Sequence, residues 1–263
     1  MKELVLIKLG GSVITDKSRE FTSKENNILR LAKEIKGAQK VFKGKLIIGH
    51  GGGSFPHAPA SKYQTKKGLI NNKSLIGAGL VEDAARKLNM IVVGNFLSQN
   101  LPVFTFSPSS FLISDTLVCS KSYLDSLIKA LEVGIIPIVY GDVVMDKSLG
   151  VTIFSTEKTL SVIAHKLNKD YKIRMIYVTN VNGVYDNKGK TIPLITNKNF
   201  NQIKTSILGS GGIDVTGGML HKVEEALLLA KKYKIETLII NGEGSGNLQK
   251  AILGKKLIHT RII

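Results

Sequence analysis

The stretch Leu4-Val5-Leu6-Ile7-Lys8-Leu9-Gly10-Gly11-Ser12 decides the fold, because an unbroken apolar run ends there in a lysine and two glycines. A short run without polar alternation is how a strand covered on both faces looks, so Val5–Leu9 reads as a buried strand. Consecutive glycines let backbone N–H groups approach an anion with no Cβ in the way, and the lysine adds a fixed positive charge. The same design recurs twice. Leu46–Gly49 runs into Gly49-His50-Gly51-Gly52-Gly53-Ser54 ahead of a helix, and Asp214-Val215-Thr216-Gly217-Gly218-Met219 opens the helix that carries Lys222. One Gly-Gly turn is explained by turn geometry alone. Three, two of them with a nearby lysine, read as phosphate sites at strand ends and helix starts.

Outward from these turns, the chain alternates buried strands with amphipathic helices. Val103–Phe106, Ile135–Tyr140, Met175–Thr179 and Thr237–Ile240 read as further strands. Asn26–Ile35, Leu80–Leu97, Tyr123–Leu131, Thr159–Leu167 and Val215–Lys232 show helical periodicity, the first with Ile28, Leu31, Ala32 and Ile35 on one stripe. Such alternation predicts an α/β fold, a three-layer αβα sandwich with a mainly parallel central sheet. Val143–Met145, a polar turn and Val151–Phe154 predict a β-hairpin near the middle. With no repeat or low-complexity linker, residues 1–263 are expected to form one domain of two lobes. The pattern breaks at Asn168-Lys169-Asp170, which divides an N-lobe of about 1–170 from a C-lobe of about 171–263.

Bulk composition narrows the classes. Hydrophobic residues make up 43% and charged residues 22% of the 263, an ordinary globular balance. Runs such as Leu46–Ile48 fall far short of the ~18 apolar residues of a membrane span. Met1–Ile7 starts as a strand without a small-residue cleavage site, so no signal peptide is read and a cytoplasmic protein is expected. Cys119, the single cysteine, reads as a small buried hydrophobe. Net charge is +17, yet the arginines are only Arg19, Arg30, Arg86, Arg174 and Arg261. Nucleic-acid readers favour arginine forks and aromatic-interleaved basic stretches, whereas these lysines scatter along helix faces. Neither a nucleic acid nor a membrane is expected as partner. The charge would concentrate anionic substrates.

There is no Gly-x-x-x-x-Gly-Lys-Ser/Thr and no Gly-x-Gly-x-x-Gly, so a Walker-type NTPase and a dinucleotide-binding dehydrogenase drop away. Instead Lys8-Leu-Gly-Gly-Ser-Val-Ile-Thr-Asp-Lys17, His50-Gly-Gly-Gly-Ser-Phe-Pro-His57, Tyr140-Gly-Asp-Val-Val144 and Asp214-Val-Thr-Gly-Gly-Met219 follow in order over nearly the whole chain. In these motifs the sequence resembles the isopentenyl phosphate kinases of the amino acid kinase superfamily. His57 and Val-Ile-Thr-x-Lys separate that branch from acetylglutamate, aspartate, carbamate and UMP kinases.

The resemblance implies ATP-dependent phosphorylation of isopentenyl phosphate to the diphosphate, feeding isoprenoid synthesis, with Mg²⁺ as cofactor and a homodimer by analogy. It implies Lys8, Lys17, His57 and Lys222 as catalytic residues. Lys8 and Lys222 would hold ATP phosphates from opposite lobes, and Gly10, Gly11 and Ser12 would donate backbone N–H bonds. Lys17 would sit on the transferring phosphoryl group. The ATP site would further include Gly53, Glu157, Thr179, Asn180, Asn182, Gly183, Tyr185 and Gly217, and the acceptor site Gly52, Gly53, His57 and Thr152. The metal would be held chiefly by ATP oxygens and water, so no protein ligands are assigned. A phosphate-monoester acceptor is already an anionic nucleophile at pH 7, so no general base is needed. His50, directly before the glycines, reads as a structural residue bonding backbone in the turn.

The chain departs from the pattern in three places. Pro56 replaces a usual glycine and removes an N–H. Glu157, in Ser155-Thr156-Glu157, replaces the aspartate that organises the two ATP-facing lysines. Thr179-Asn180-Val181-Asn182-Gly183-Val184-Tyr185 carries amides where two carboxylates are usual. Two alternatives follow: a kinase of another phosphate or phosphonate, such as a fosfomycin-type kinase, or a degenerate ligand-binding relative without catalysis.

Overall fold

A computed structural model of the chain describes residues 1–209 and 218–263. Its strands are β1 (Lys2–Leu9), β2 (Lys45–His50), β3 (Val103–Thr105), β4 (Leu112–Asp115), β5 (Val118–Ser122), β6 (Ile136–Tyr140), β7 (Asp142–Asp146), β8 (Gly150–Phe154), β9 (Tyr171–Thr179), β10 (Leu194–Ile195), β11 (Glu236–Asn241) and β12 (His259–Ile262). Its helices are α1 (Gly11–Ile14), α2 (Glu25–Gln39), α3 (His57–Lys62), α4 (Ser74–Leu97), α5 (Pro108–Phe111), α6 (Asp125–Val133), α7 (Thr156–Leu167), α8 (Phe200–Gly209), α9 (Gly218–Tyr233) and α10 (Asn247–Ile252).

Among the described residues, the main sheet runs β10-β12-β11-β9-β1-β2-β6-β3. Every neighbouring pair is parallel except β11 with β12. Strand β1 shows why the sheet is buried on both faces. Side chains alternate across a strand, and Leu4 and Leu6 enter one core while Val5, Ile7 and Leu9 enter the other. The first core is closed by Leu127 and Leu131 of α6, Leu160 and Ile163 of α7, and Val223 and Ala226 of α9. The second is closed by Ile28, Leu31, Ala32 and Ile35 of α2, Leu88, Val92 and Phe96 of α4, and Leu248 of α10. Each fully buried aliphatic side chain contributes about 1.5–3 kcal/mol of transfer free energy, so these two cores dominate stability. The result is the expected αβα sandwich around a mainly parallel sheet.

One feature differs from the expectation of a single sheet. The hairpin β7–β8 joins β4 and β5 in a separate four-stranded sheet, ordered β5-β4-β7-β8. Val118–Ser122 is exposed and polar along most of its length, so it carries no hydrophobic signature of a strand. This second sheet stands at the carboxyl ends of β2 and β6. That is the side of an open parallel sheet where ligands bind, next to the strands at which the winding direction reverses.

Candidate active site

Strands β1 and β2 pair in register, with Leu9 opposite His50, so their following turns emerge side by side. A Cβ on Gly11 would fall 2.6 Å from both Cα and N of Gly53, which leaves room only for glycine in that contact. Gly53 has φ +54°, and a side chain there would also run into Thr15. Thr15 fastens the two turns together. Its buried hydroxyl donates to the Gly11 carbonyl at 2.7 Å and accepts from the Ser54 N–H at 3.0 Å. The N–H groups of Gly52 and Gly53 have no acceptor among the described residues, which leaves them available to an anion.

These turns floor a cavity of about 870 Å³. Lys8, Lys17, Lys222, His57, Gly10, Gly11, Ser12, Gly52, Gly53, Glu157, Thr179, Asn180, Gly183 and Tyr185 all line it. Lys17 reaches it from a turn that Asp16 fixes, whose carboxylate accepts from the Ser18 N–H at 3.0 Å, Ser18 Oγ at 2.7 Å and Arg19 Nε at 3.0 Å. These contacts, the Ser18 hydroxyl foremost, draw the Asp16 carboxyl down to about 2. His57 opens α3, and Pro56 before it, at φ −81°, leaves it on the cavity wall.

Two expected site residues are not on that wall, and a third is outside the described residues. Thr152 is fully buried and its hydroxyl has no partner among the described residues. Neighbours in a strand face opposite sides, so Ile153 takes the cavity face of β8 and Thr152 faces the interior. Asn182 is tied to the end of β11 and to its own loop instead: its Oδ1 accepts from Asn241 Nδ2 at 3.2 Å and its N–H donates to the Tyr185 hydroxyl at 3.2 Å. Gly217 lies outside the described residues. The sequence did not single out Asp142, Lys66, Ala60 and Ile153, which line the cavity. Asp142 stood in the quoted Tyr-Gly-Asp motif and could have been found there. Lys66 sits in a run that reads as ordinary solvated charge.

The cavity walls differ in character along its length. Near His57, Ala60, Val81 and Ile153 are apolar and belong to a small cluster with Ala78, Val143 and Val151. Asp142 borders that end, accepting from the Ser109 N–H at 3.1 Å and the Val143 N–H at 2.8 Å, while burial pushes its carboxyl up to about 6. In the middle, Lys8 Nζ pairs with Glu157 Oε1 at 2.8 Å, with both side chains largely buried. Burial pushes the Glu157 carboxyl up, but Lys8, and after it Lys222, outweigh burial and hold it below the usual glutamate value. Lys222 Nζ also donates to the Gly218 carbonyl at 2.8 Å. The longer side chain at 157 therefore still lies between the two lysines. For the exposed His57, partial desolvation by the walls and then the charge of Lys17 lower its pKa, which favours the neutral ring.

The sequence profile of the amino acid kinase family matches residues 3–241. The chain belongs to the amino acid kinase family. An isopentenyl phosphate kinase of Methanocaldococcus jannaschii is 34% identical over 96% of each chain. One of Methanothermobacter thermautotrophicus is 34% identical over 98% of each. A solved structure of an isopentenyl phosphate kinase superposes with a TM-score of 0.83 at 31% identity, covering 99% of this chain and 100% of that one.

In this amino acid kinase, Glu157→Gln keeps a hydrogen-bonding group beside Lys8 and deletes the charge that Lys8 and Lys222 share. Unfolding free energy of the nucleotide-free protein is expected to fall by ~3 kcal/mol, the scale of a broken buried pair. A non-hydrolysable ATP analogue should restore part of the loss, because its phosphates supply the missing anion. Urea melts with and without the analogue measure this; equal losses in both would assign Glu157 a purely structural role.

His50 gives the same amino acid kinase an acid-sensitive core. Burial foremost, and the charge of Lys8, push the ring down to about 4, against its bonds to Gly51 and Asn89. The unfolded ring takes a proton as pH falls through about 6.5, before the folded ring does, so stability drops from there down to about pH 4. The drop amounts to ~3 kcal/mol at 1.36 kcal/mol per unit. Urea unfolding at pH 7 and pH 4 should show this extra loss in wild type relative to His50→Asn; identical pH dependence of the two would exclude it.

Proposed function

We propose that this protein transfers the γ-phosphoryl group of ATP to isopentenyl phosphate, giving isopentenyl diphosphate and ADP. The observation that carries the reading is the acceptor end of the cavity, where His57 and Lys17 stand beside the small apolar wall of Ala60, Val81 and Ile153. Such a wall suits a short branched hydrocarbon, and the two basic side chains suit its phosphate. The related isopentenyl phosphate kinases support the same assignment.

Residues 1–170 bind the acceptor and residues 171–263 the nucleotide, whose phosphates also reach the Lys8–Ser12 turn of the first lobe. Phosphoryl transfer needs positioning and charge neutralisation more than covalent chemistry. Lys8 and Lys222 hold the β- and γ-phosphates, with Gly10, Gly11 and Ser12 beside them. Thr179, Asn180, Gly183 and Tyr185 take the nucleoside end. A phosphate oxygen of the acceptor attacks the γ-phosphorus in line, the bond to the β,γ-bridging oxygen breaks, and ADP leaves. Gly52 and Gly53 N–H groups and Lys17 meet the charge that moves during the step. His57 holds the acceptor phosphate.

Mg²⁺ fits as a companion of ATP. Among the described residues no group of three His, Cys, Asp or Glu side chains could hold a metal, and Glu157 is engaged by Lys8. The ion, bound through ATP oxygens, would supply neutralising charge. The protein acts in the cytoplasm as a homodimer. ATP consumption assayed against isoprenoid monophosphates, fosfomycin and UMP tests the substrate. Turnover with isopentenyl phosphate far above the others is expected, and preferred turnover of fosfomycin or UMP would overturn the reading.

A further inference from the structure

Beneath the Gly51–Gly53 turn lies a buried polar chain that the mechanism leaves unused. His50 is 1% exposed. Its Nδ1 stands 3.2 Å from the Gly51 carbonyl oxygen and its Nε2 3.2 Å from the side-chain amide of Asn89. The other end of that amide is 2.9 Å from Thr105 Oγ1. Tyr140 stacks on the ring at 5.6 Å, and the Thr156 hydroxyl donates to the His50 carbonyl at 2.6 Å, so both the ring and its backbone are held in place.

The protonation pattern follows from what each atom is able to do. A carbonyl oxygen only accepts, so Nδ1 carries the hydrogen. The ring is neutral at pH 7, since burial and the nearby Lys8 charge hold it down to about 4. Nε2 is then bare and needs a donor. With Asn89 Oδ1 set against it, two lone-pair atoms face each other. Turning the amide end for end repairs this: Asn89 Nδ2 donates to Nε2, and the Thr105 hydroxyl donates to Asn89 Oδ1.

We propose that His50 is a positioning residue whose Nδ1–H holds the Gly51 carbonyl away from the cavity and so aims the Gly52 N–H at the transferring phosphoryl group. The peptide bonds of the described chain are trans, and in a trans peptide the C=O and N–H point in opposite directions. Gly52 lines the cavity and its N–H has no acceptor among the described residues. Two successive glycines leave this peptide free to rotate at little cost. Rotated, it would present a carbonyl oxygen to phosphate instead of a donor. The histidine bond selects the productive orientation. This inference rests on the kinase reading above.

Two measurements test it. The first needs no activity: ¹⁵N NMR of histidine-labelled wild type at pH 7, with the His50 signals identified by their loss in His50→Asn among the 5 histidines. A protonated Nδ1 and a bare Nε2 are expected; the opposite tautomer would overturn the proposal. The second compares variants by where they place a donor. His50→Asn puts its amide nitrogen near the Nδ1 position and should keep kcat within about threefold of wild type. His50→Gln places it near Nε2 and should lose about 30-fold or more in kcat, with little change in KM or melting temperature, as when a preorganised donor is lost. Equal kcat in the two variants would overturn the positioning role. If wild type fails to phosphorylate isopentenyl phosphate at all, the proposed function falls and the tautomer alone decides this inference.

Discussion

Replacing Lys17 by methionine is expected to lower kcat by about 10³-fold while changing ATP affinity less than about threefold. Methionine keeps the unbranched stem and deletes the charge. Lys17 lines the cavity on the same side as His57, from the turn that Asp16 fixes, whereas Lys8 and Lys222 flank Glu157 deeper in. In the proposed transfer its charge is needed most as the phosphoryl group moves, and an interaction made only then appears in kcat. Single-turnover rates and nucleotide binding by calorimetry measure the two quantities. Similar losses in rate and in ATP affinity would make Lys17 an ordinary binding residue.

Replacing His57 by alanine is expected to cost about 10- to 200-fold in kcat/KM for isopentenyl phosphate, with ATP binding nearly unchanged. A charge-assisted hydrogen bond to a phosphate dianion contributes about 1.5–3 kcal/mol, at tenfold per 1.4 kcal/mol. The free ring sits below its usual pKa because of its walls and Lys17. A bound dianion works in the other direction, so acceptor binding near pH 7 should take up a proton. Above about pH 7.5 the acceptor is already dianionic, its second ionisation lying near 6, and affinity should then weaken as pH rises through the bound-state pKa of His57. His57→Gln should recover part of the activity and lack that pH step. Calorimetry in buffers of different ionisation enthalpy counts the proton directly. Were His57→Ala to behave like wild type, the main structural reason for naming isopentenyl phosphate would be gone.

The legible parts of the chain were those whose physics is local. Leu4–Ile7, Leu46–Ile48 and Met175–Val178 are apolar without interruption because helices cover both faces of the sheet there, and that pattern survives in sequence. The glycine turns were legible for the same reason, since Gly11 and Gly53 touch backbone to backbone. The second sheet was not, because β5 is mostly exposed and its partner β4 is four residues long. Thr152 was placed at the acceptor through the resemblance, and only the strand phase of β8 turns it inward. Glu157 could be read as a longer stand-in for an aspartate, but its bond to Lys8 crosses from α7 to β1 and no local pattern encodes that distance. The role of His50 was half visible: a backbone bond in the turn was expected, whereas Asn89 and Thr105, on α4 and β3, come to it only through the fold.

The central claim is that one cavity joins the ATP γ-phosphate to isopentenyl phosphate. Wild-type protein incubated with Mg²⁺, [γ-³²P]ATP and isopentenyl phosphate tests it most directly, with the products separated by chromatography. Label passing into isopentenyl diphosphate, one for each ADP formed, is the predicted result. Label released as inorganic phosphate, or left on ATP while the acceptor is recovered unchanged, would contradict the account.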